Sequence, residues 1–394
     1  MNKDLKKIFI VLALYSLSGG IFYNFQEIWM GENFLSVKTI GSVFSICALL
    51  TISMLFICSS LVKKERLKDF TLGLMFTNVI VMLLLYLLNG TGLNIAIKFL
   101  IMLDYVIDVE VFACIYPMIA QISKNDKVYA ARGLVYSAFF YLGSLITILL
   151  INKTIISKIT NNTFIFIGCV FLFIAYLVLK KVDLEKYINK SKDDTLIDNR
   201  IFLNKVRKDK VTRNYLIFNL MGNISYYCLN GMLLTLIMVG LNKETNEASI
   251  FMLIMSIISV LIGIIALKKL TFKNNYINLS IKYMFRSILY LLAFIFNSNI
   301  FFLIAIIYTK ILSDSYSHVS DAPYINRFKE SEQFNFSNLA EECKYLGRAI
   351  GTFICAIAVT YSLKYNFLFA FIFGLIALVF AYYSLYLRNK EMEK

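Results

Sequence analysis

Long apolar blocks separated by short polar ones run the length of this chain. A helix needs about 20 apolar residues to cross the hydrocarbon core of a bilayer. Twelve blocks approach or exceed that length: 8–30, 38–61, 70–89, 93–120, 130–152, 162–180, 213–240, 247–267, 276–297, 299–324, 338–361 and 364–387. Lipid offers the backbone no hydrogen-bond partners, so only helices and closed barrels can span it. The period-two alternation of a membrane barrel is missing. The pattern therefore predicts an all-α integral membrane protein with twelve transmembrane helices. The first block exceeds the roughly 7–15 residues of a signal-peptide core and reads as an uncleaved span.

A polar segment rich in Lys and Asp, 181–212, nearly bisects the chain. It predicts an N-terminal six-helix half (1–180), a cytoplasmic central linker (181–212) and a C-terminal six-helix half (213–394). The linker is expected to be solvated, with its lysines near anionic lipid. Short matches recur across it. Gly19-x-Ile21-x-Tyr23 matches Gly222-x-Ile224-x-Tyr226, and Tyr141-Leu142-Gly143 matches Tyr345-Leu346-Gly347. Asp108 and Pro117 match Asp314 and Pro323, the only other proline. The offsets of 203, 204 and 206 keep one order and nearly one register. A duplicated unit forming two pseudo-symmetric six-helix halves is the expectation, as in many transporters.

Composition fits this picture. The chain is 59% hydrophobic and 16% charged, against roughly 45–50% and 25% in soluble domains. Its net charge of +15 lies in short pieces between apolar blocks, not on the single basic face that nucleic acid requires. With the N-terminus cytoplasmic, basic residues favour the inner segments about five to one, the positive-inside bias of a multi-pass protein in the cell membrane. Both termini are then cytoplasmic. Abundant Lys, Asn, Ile, Phe and Tyr point to AT-rich coding and a low-GC bacterium. The 7 cysteines form no C-x-x-C or Cys/His cluster, so neither a disulfide framework nor a metal site is expected. No G-x-x-x-x-G-K-[ST] motif is present. No cofactor is implied, and no clustered catalytic set marks an enzyme.

The candidate chemistry is the set of polar groups inside the apolar blocks. An ionisable residue at mid-bilayer costs about 2.5–3.5 kcal/mol on insertion scales and is expected to face the bundle interior. The fourth block carries Asp104 and Asp108 one turn apart on one face, with Glu110 pointing roughly the other way. The tenth carries Lys310, Asp314, His318 and Asp321 as one polar stripe. Buried ion pairs, such as Lys310 with Asp314, are the alternative to a transport role. His318, the single histidine, suits either a proton relay or a plain hydrogen bond. Tyr23, Asn24, Gln26 and Glu27 end the first block, and Asn223, Tyr226, Tyr227 and Asn230 lie in the seventh. These groups can bond a ligand or neighbouring helices. Arg286 and Arg348 lie deeper than snorkelling explains. Arg348 is expected to pair with a carboxylate such as Glu341, while Asn338-x-x-Glu341 also has the form of a capping box. Gly347 and Gly351 make a small-xxx-small pair for close helix packing.

Six plus six spans, inner termini and a long central loop resemble the major facilitator superfamily. The run FYNFQEIWM (22–30) is similar to a branch of it from Gram-positive bacteria. The superfamily's G-x-x-x-D-R-x-G-R-R loop corresponds here to Ser60–Asp69, which keeps basic residues but loses the glycines and the usual aspartate. Its Gly-Pro antiporter signature is missing from the fifth block. The resemblance implies alternating access about a cavity lined by helices 1, 4, 7 and 10, which puts both acidic stripes on the path. The expected function is secondary, proton-coupled transport of a small molecule or peptide, cationic or zwitterionic given the acidic walls, by a monomer in membrane lipid. The rivals are a non-transporting receptor or accessory protein on the same fold and a lipid flippase.

Overall fold

A computed structural model describes residues 2–33, 36–61, 66–89, 91–123, 126–151, 161–187, 199–242, 245–268, 275–316, 324, 327–328 and 330–392. Residues 23–33 and 310–316 are described as helix backbone alone. The N-terminal half contains α1 (Lys3–Asn33), α2 (Val37–Leu61), α3 (Leu67–Leu88), α4 (Asn94–Ile122), α5 (Asp126–Ile151) and α6 (Asn161–Lys180). A short amphipathic helix, α7 (Asn199–Lys208), precedes α8 (Lys210–Asn230), α9 (Leu233–Gly240), α10 (Thr245–Lys268), α11 (Asn275–Phe296), α12 (Asn299–Tyr316), α13 (Glu330–Tyr361) and α14 (Leu363–Met392). Among the described residues, six helices are long and apolar enough to cross a membrane: Lys3–Phe22, Val37–Phe56, Leu67–Leu88, Thr163–Lys180, Asn335–Tyr361 and Leu363–Ser384.

Packing follows the same scheme on both sides of the linker. In the N-terminal half α1 packs against α5 and α6, and α3 against α4 and α6. In the C-terminal half α8 packs against α13 and α14, and α11 against α12 and α14. The halves meet along α2 with α13 and along α5 with α10. Glycines set the closest approaches. A Cβ on Gly143 of α5 would lie 2.3 Å from the Leu17 carbonyl oxygen and 2.8 Å from the Ile21 nitrogen of α1. A Cβ on Gly347 of α13 would lie 2.8 Å from the Leu220 carbonyl oxygen and 3.1 Å from the Ile224 nitrogen of α8. Leu17 and Ile21 stand 203 positions before Leu220 and Ile224, the offset already read between their helices.

A second contact recurs likewise. Gly168 of α6 faces the Ser18 hydroxyl of α1 and Met82 of α3, while Gly374 of α14 faces the Ser225 hydroxyl of α8 and Ser287 of α11. Ser18 donates to the Gly168 carbonyl at 2.9 Å, and Ser225 to the Ala370 carbonyl at 2.6 Å. These hydroxyls bridge helices whose own backbone bonds are already made, a means of association that works within lipid. The outer surfaces of α3, α6, α11 and α14 expose apolar side chains, among them Phe76, Leu83, Phe166, Phe173, Phe285, Ile288, Ile372 and Val379. That is the surface a hydrocarbon solvent selects.

Three local expectations change. The seventh block is not one helix: it breaks at Gly231–Met232, between α8 and α9. There a Gly231 Cβ would come within 2.4 Å of the Thr352 hydroxyl of α13. The eleventh block starts at Glu330 rather than near 338, so Asn338 and Glu341 lie inside α13 and form no capping box. The described ends of the linker are bonded rather than freely solvated. Lys7 donates to the Lys181 carbonyl at 2.6 Å, and Asn2 to the Tyr187 hydroxyl at 2.6 Å. Further on, α7 buries Phe202 and Val206 with Tyr324, Phe328 and Phe336. Lys205 meets Glu332 at 2.7 Å, and Arg327 meets Asp209 at 3.3 Å. Asp209 also caps α8 by accepting from the Val211 amide at 3.1 Å.

Candidate functional site

The acidic pair of the fourth block is buried within the N-terminal half. Asp104 and Asp108 of α4 are 2% and 5% exposed, and their four-residue spacing puts them on one face. Their surroundings differ. Asp108 Oδ1 accepts from the Tyr15 hydroxyl of α1 at 2.5 Å and from Asn78 Nδ2 of α3 at 2.6 Å. Asn78 Nδ2 also donates to the Tyr15 oxygen at 2.8 Å, closing a three-residue knot across three helices. Asp104 Oδ2 is buried with no hydrogen-bond partner among the described residues. Glu110, also buried, lies within electrostatic reach of Glu342 of α13.

A polar side chain sealed among helices must find partners or carry a large penalty. Asp108 has met that demand inside its own half, with α1 and α3. Asp104, one turn away, has no partner among the described residues. From the Tyr15 end of the knot, rings pass through Phe112 (5.1 Å between centroids) to Tyr136 of α5 (4.9 Å).

Arg348 of α13 is partly exposed and stands where the halves meet. Among the described residues no carboxylate pairs with it. Glu341 instead binds Lys344 at 2.7 Å, one turn along the same helix. The spacing explains the switch: a partner three residues away lies on the same face, whereas seven residues is two turns. Arg348 is flanked by rings. Its guanidinium carbon lies 4.8 Å from the Tyr105 centroid of α4 and 5.3 Å from that of Tyr227 of α8. The Tyr345 and Tyr136 phenols are also within electrostatic reach. Its Nε is buried without a hydrogen-bond partner. The neighbouring Ala349 carbonyl accepts from Ser45 of α2 at 3.0 Å, a direct bond between the halves.

Of the seventh-block candidates, Asn223 donates to Asn219 at 2.7 Å and its Cβ packs on Gly347. Tyr226 stacks edge-on against Tyr227, with centroids 4.9 Å apart. Asn230 donates to the Tyr226 carbonyl at 3.2 Å, and its Oδ1 is buried without a partner. Arg286, 1% exposed, lies over the Tyr283 ring at 4.3 Å and reaches the Ser225 hydroxyl at 3.5 Å. The side chains of Tyr23, Asn24, Glu27, Lys310 and Asp314, and all of His318, Asp321 and Pro323, lie outside the described residues. The structure thus brings Tyr105, Tyr227 and Arg348 together across the halves, and draws Asp108 into a separate knot.

Tyr15, Asn78 and Tyr105 were not singled out from the sequence. Asn78 carried a readable signal, as a lone amide deep in the apolar run of α3. Tyr15 and Tyr105 carried none, because tyrosine in an apolar block has the same pattern whether it anchors at an interface or bonds a buried carboxylate.

The sequence matches the Major Facilitator Superfamily over residues 8–322. No curated protein matches it. Among solved structures, it is similar to the human organic anion transporter MFSD10 (TM-score 0.71, 11% identity, covering 97% of this chain and 100% of that one). It is also similar to the nucleoside transporter NupG (TM-score 0.65, 14% identity, 98% of each chain). A third similar structure is the fucose:proton symporter FucP of E. coli (TM-score 0.65, 12% identity, 97% of each chain). At these identities the likeness speaks for the fold. The match across most of the sequence, on an all-helical frame with apolar outer faces, makes this chain a membrane protein of the Major Facilitator Superfamily.

Proposed function

We propose that this protein is a secondary transporter that moves a small solute across the cell membrane by rocking two six-helix halves about a site at their junction. The observation that carries this reading is the matched glycine geometry of Gly143 and Gly347, which gives each half the same close-packed helix pair. A duplicated unit is how alternating-access carriers are built. In this account the helices α1–α6, α8 with α9, and α10–α14 make twelve spans, with both termini cytoplasmic. A reporter enzyme active only outside the cell, fused after Lys394, then stays silent.

Proton coupling is part of the proposal, and Asp104 is its carrier. An unpaired buried charge is expensive, and taking up a proton removes it. Asp108, engaged by Tyr15 and Asn78, serves as the fixed neighbour. The C-terminal stripe of Lys310, Asp314 and His318 is proposed to complete the path, as are Tyr23, Asn24 and Glu27 of α1. The similar structures include a proton symporter, which supports coupling as a reading for this chain.

The test is uptake from a defined mixture of metabolites and peptides into proteoliposomes holding an inside-alkaline gradient, read by mass spectrometry. The account expects at least one solute to accumulate above protein-free liposomes and to be lost on adding a protonophore. If accumulation never differs from that in protein-free vesicles, the receptor or accessory reading takes its place.

A further inference from the structure

Where the two halves meet, the guanidinium of Arg348 lies against rings and, among the described residues, makes no ion pair. Arg348 has five N–H donors, and among the described residues no carboxylate lies within salt-bridge distance of it. Glu341 is held by Lys344, Asp108 by Tyr15 and Asn78, and Asp104 makes no salt bridge to Arg348. Its described neighbours are tyrosine rings, whose faces attract a cation and bring no negative charge of the kind a carboxylate would. Burying such a charge is unfavourable unless it is paired. The residue is nevertheless partly exposed.

We propose that Arg348, caged by Tyr105 and Tyr227, is an oxyanion-binding site and that the transported solute is a small organic anion. A planar guanidinium pairs with a carboxylate or phosphonate through two parallel hydrogen bonds, which a lysine ammonium cannot copy. The rings hold the fork in place from both halves: Tyr105 belongs to α4 and Tyr227 to α8. An anion bound there touches groups of both halves at once, as a substrate that drives their rocking must. This replaces the cationic or zwitterionic solute expected from the acidic walls, because Asp108 is occupied within its own half. The site stands on its own geometry; only the claim that the anion is transported rests on the transporter reading above.

The test uses full-length protein in detergent and four probes: benzoate, phenylphosphonate, benzamide and benzyltrimethylammonium. The expected result is a concentration-dependent rise in melting temperature with benzoate or phenylphosphonate, and none with benzamide or the quaternary cation. Which oxyanion acts separates a carboxylate from a phosphate-type ligand. Arg348→Gln should abolish the response, and Arg348→Lys should weaken it about tenfold or more, since the bidentate fork is lost. Should Arg348→Gln fail to fold, phenylglyoxal labelling of Arg348 in the wild type provides the test: benzoate protects it and benzamide does not. The proposal is overturned if neither oxyanion acts, if benzamide matches benzoate, or if Arg348→Gln responds as the wild type does. A protein that binds benzoate through Arg348 yet moves no solute keeps the site and loses the transporter reading. One that accumulates a cation equally well with and without Arg348 keeps the transporter and loses the anion.

Discussion

In the N-terminal half, Gly143 of α5 closes onto Leu17 and Ile21, and Gly168 of α6 faces Ser18. In the C-terminal half, Gly347 closes onto Leu220 and Ile224, and Gly374 faces Ser225. The backbones are packed alike, and among the described residues the buried charges are not. The N-terminal half encloses Asp104, Asp108 and Glu110 with Arg132, whereas the described charge enclosed in the C-terminal half is Arg286, lying against Tyr283. The difference shows which parts of a repeat are fixed by lipid and which are free. Helix association in a bilayer depends on close backbone approach and a few hydroxyl bonds, so glycine and serine stay where the geometry demands them. Ionisable groups contribute little to that association and can diverge with the chemistry each half performs.

The glycine equivalence is the easiest part to break. Gly143→Leu and Gly347→Leu should each remove most of the folded protein, measured as the monodisperse fraction after detergent extraction. The alanine substitutions sharpen the comparison. Overpacking a tight contact costs about 1–3 kcal/mol, and the Cβ of Gly143→Ala would be closer to backbone (2.3 Å) than that of Gly347→Ala (2.8 Å). Both should lower the melting temperature, Gly143→Ala by more. If only one half responds, the equivalence is accidental.

Tyr15→Phe comes next in size. It removes one donor from Asp108 while Asn78 still bonds it, so the buried carboxylate is left partly satisfied. The expected loss is about 1–3 kcal/mol, the range for a buried group deprived of a partner, measured by thermal unfolding. Tyr105→Phe keeps the ring beside Arg348 and should change stability less than Tyr15→Phe does. The smallest effect belongs to Gly73→Ala, where an added Cβ meets nothing within 4 Å. It should leave stability unchanged or slightly improved.

Much of the architecture was legible in the sequence because a bilayer writes a coarse code. A block of apolar residues with basic ends is readable without knowing what surrounds it. Repeat offsets of 203 and 204 aligned Gly143 with Gly347, and α1 with α8, before any contact was known. The site was less legible. Asp104 and Asp108 stood out as acids in an apolar run, but spacing could not show that Tyr15 and Asn78 hold one and nothing described holds the other. The pairing of Arg348 with Glu341 is not seen because the sequence gives distance along one helix, while two of its described neighbours, Tyr105 and Tyr227, come from two others. The break at Gly231–Met232 was hidden for a similar reason. Glycine in a membrane helix is common, and only the approach of Thr352 distinguishes this one.

In the proposed mechanism Asp104, buried and without a hydrogen-bond partner among the described residues, couples proton movement to solute movement. That coupling is tested most directly by comparing the wild type with Asp104→Asn in proteoliposomes, for the solute found by the uptake screen. The account predicts that the variant loses gradient-driven accumulation and its response to a protonophore, yet still exchanges labelled for unlabelled solute at equal concentrations. Accumulation by Asp104→Asn against a gradient, collapsed by the protonophore as in the wild type, would contradict it.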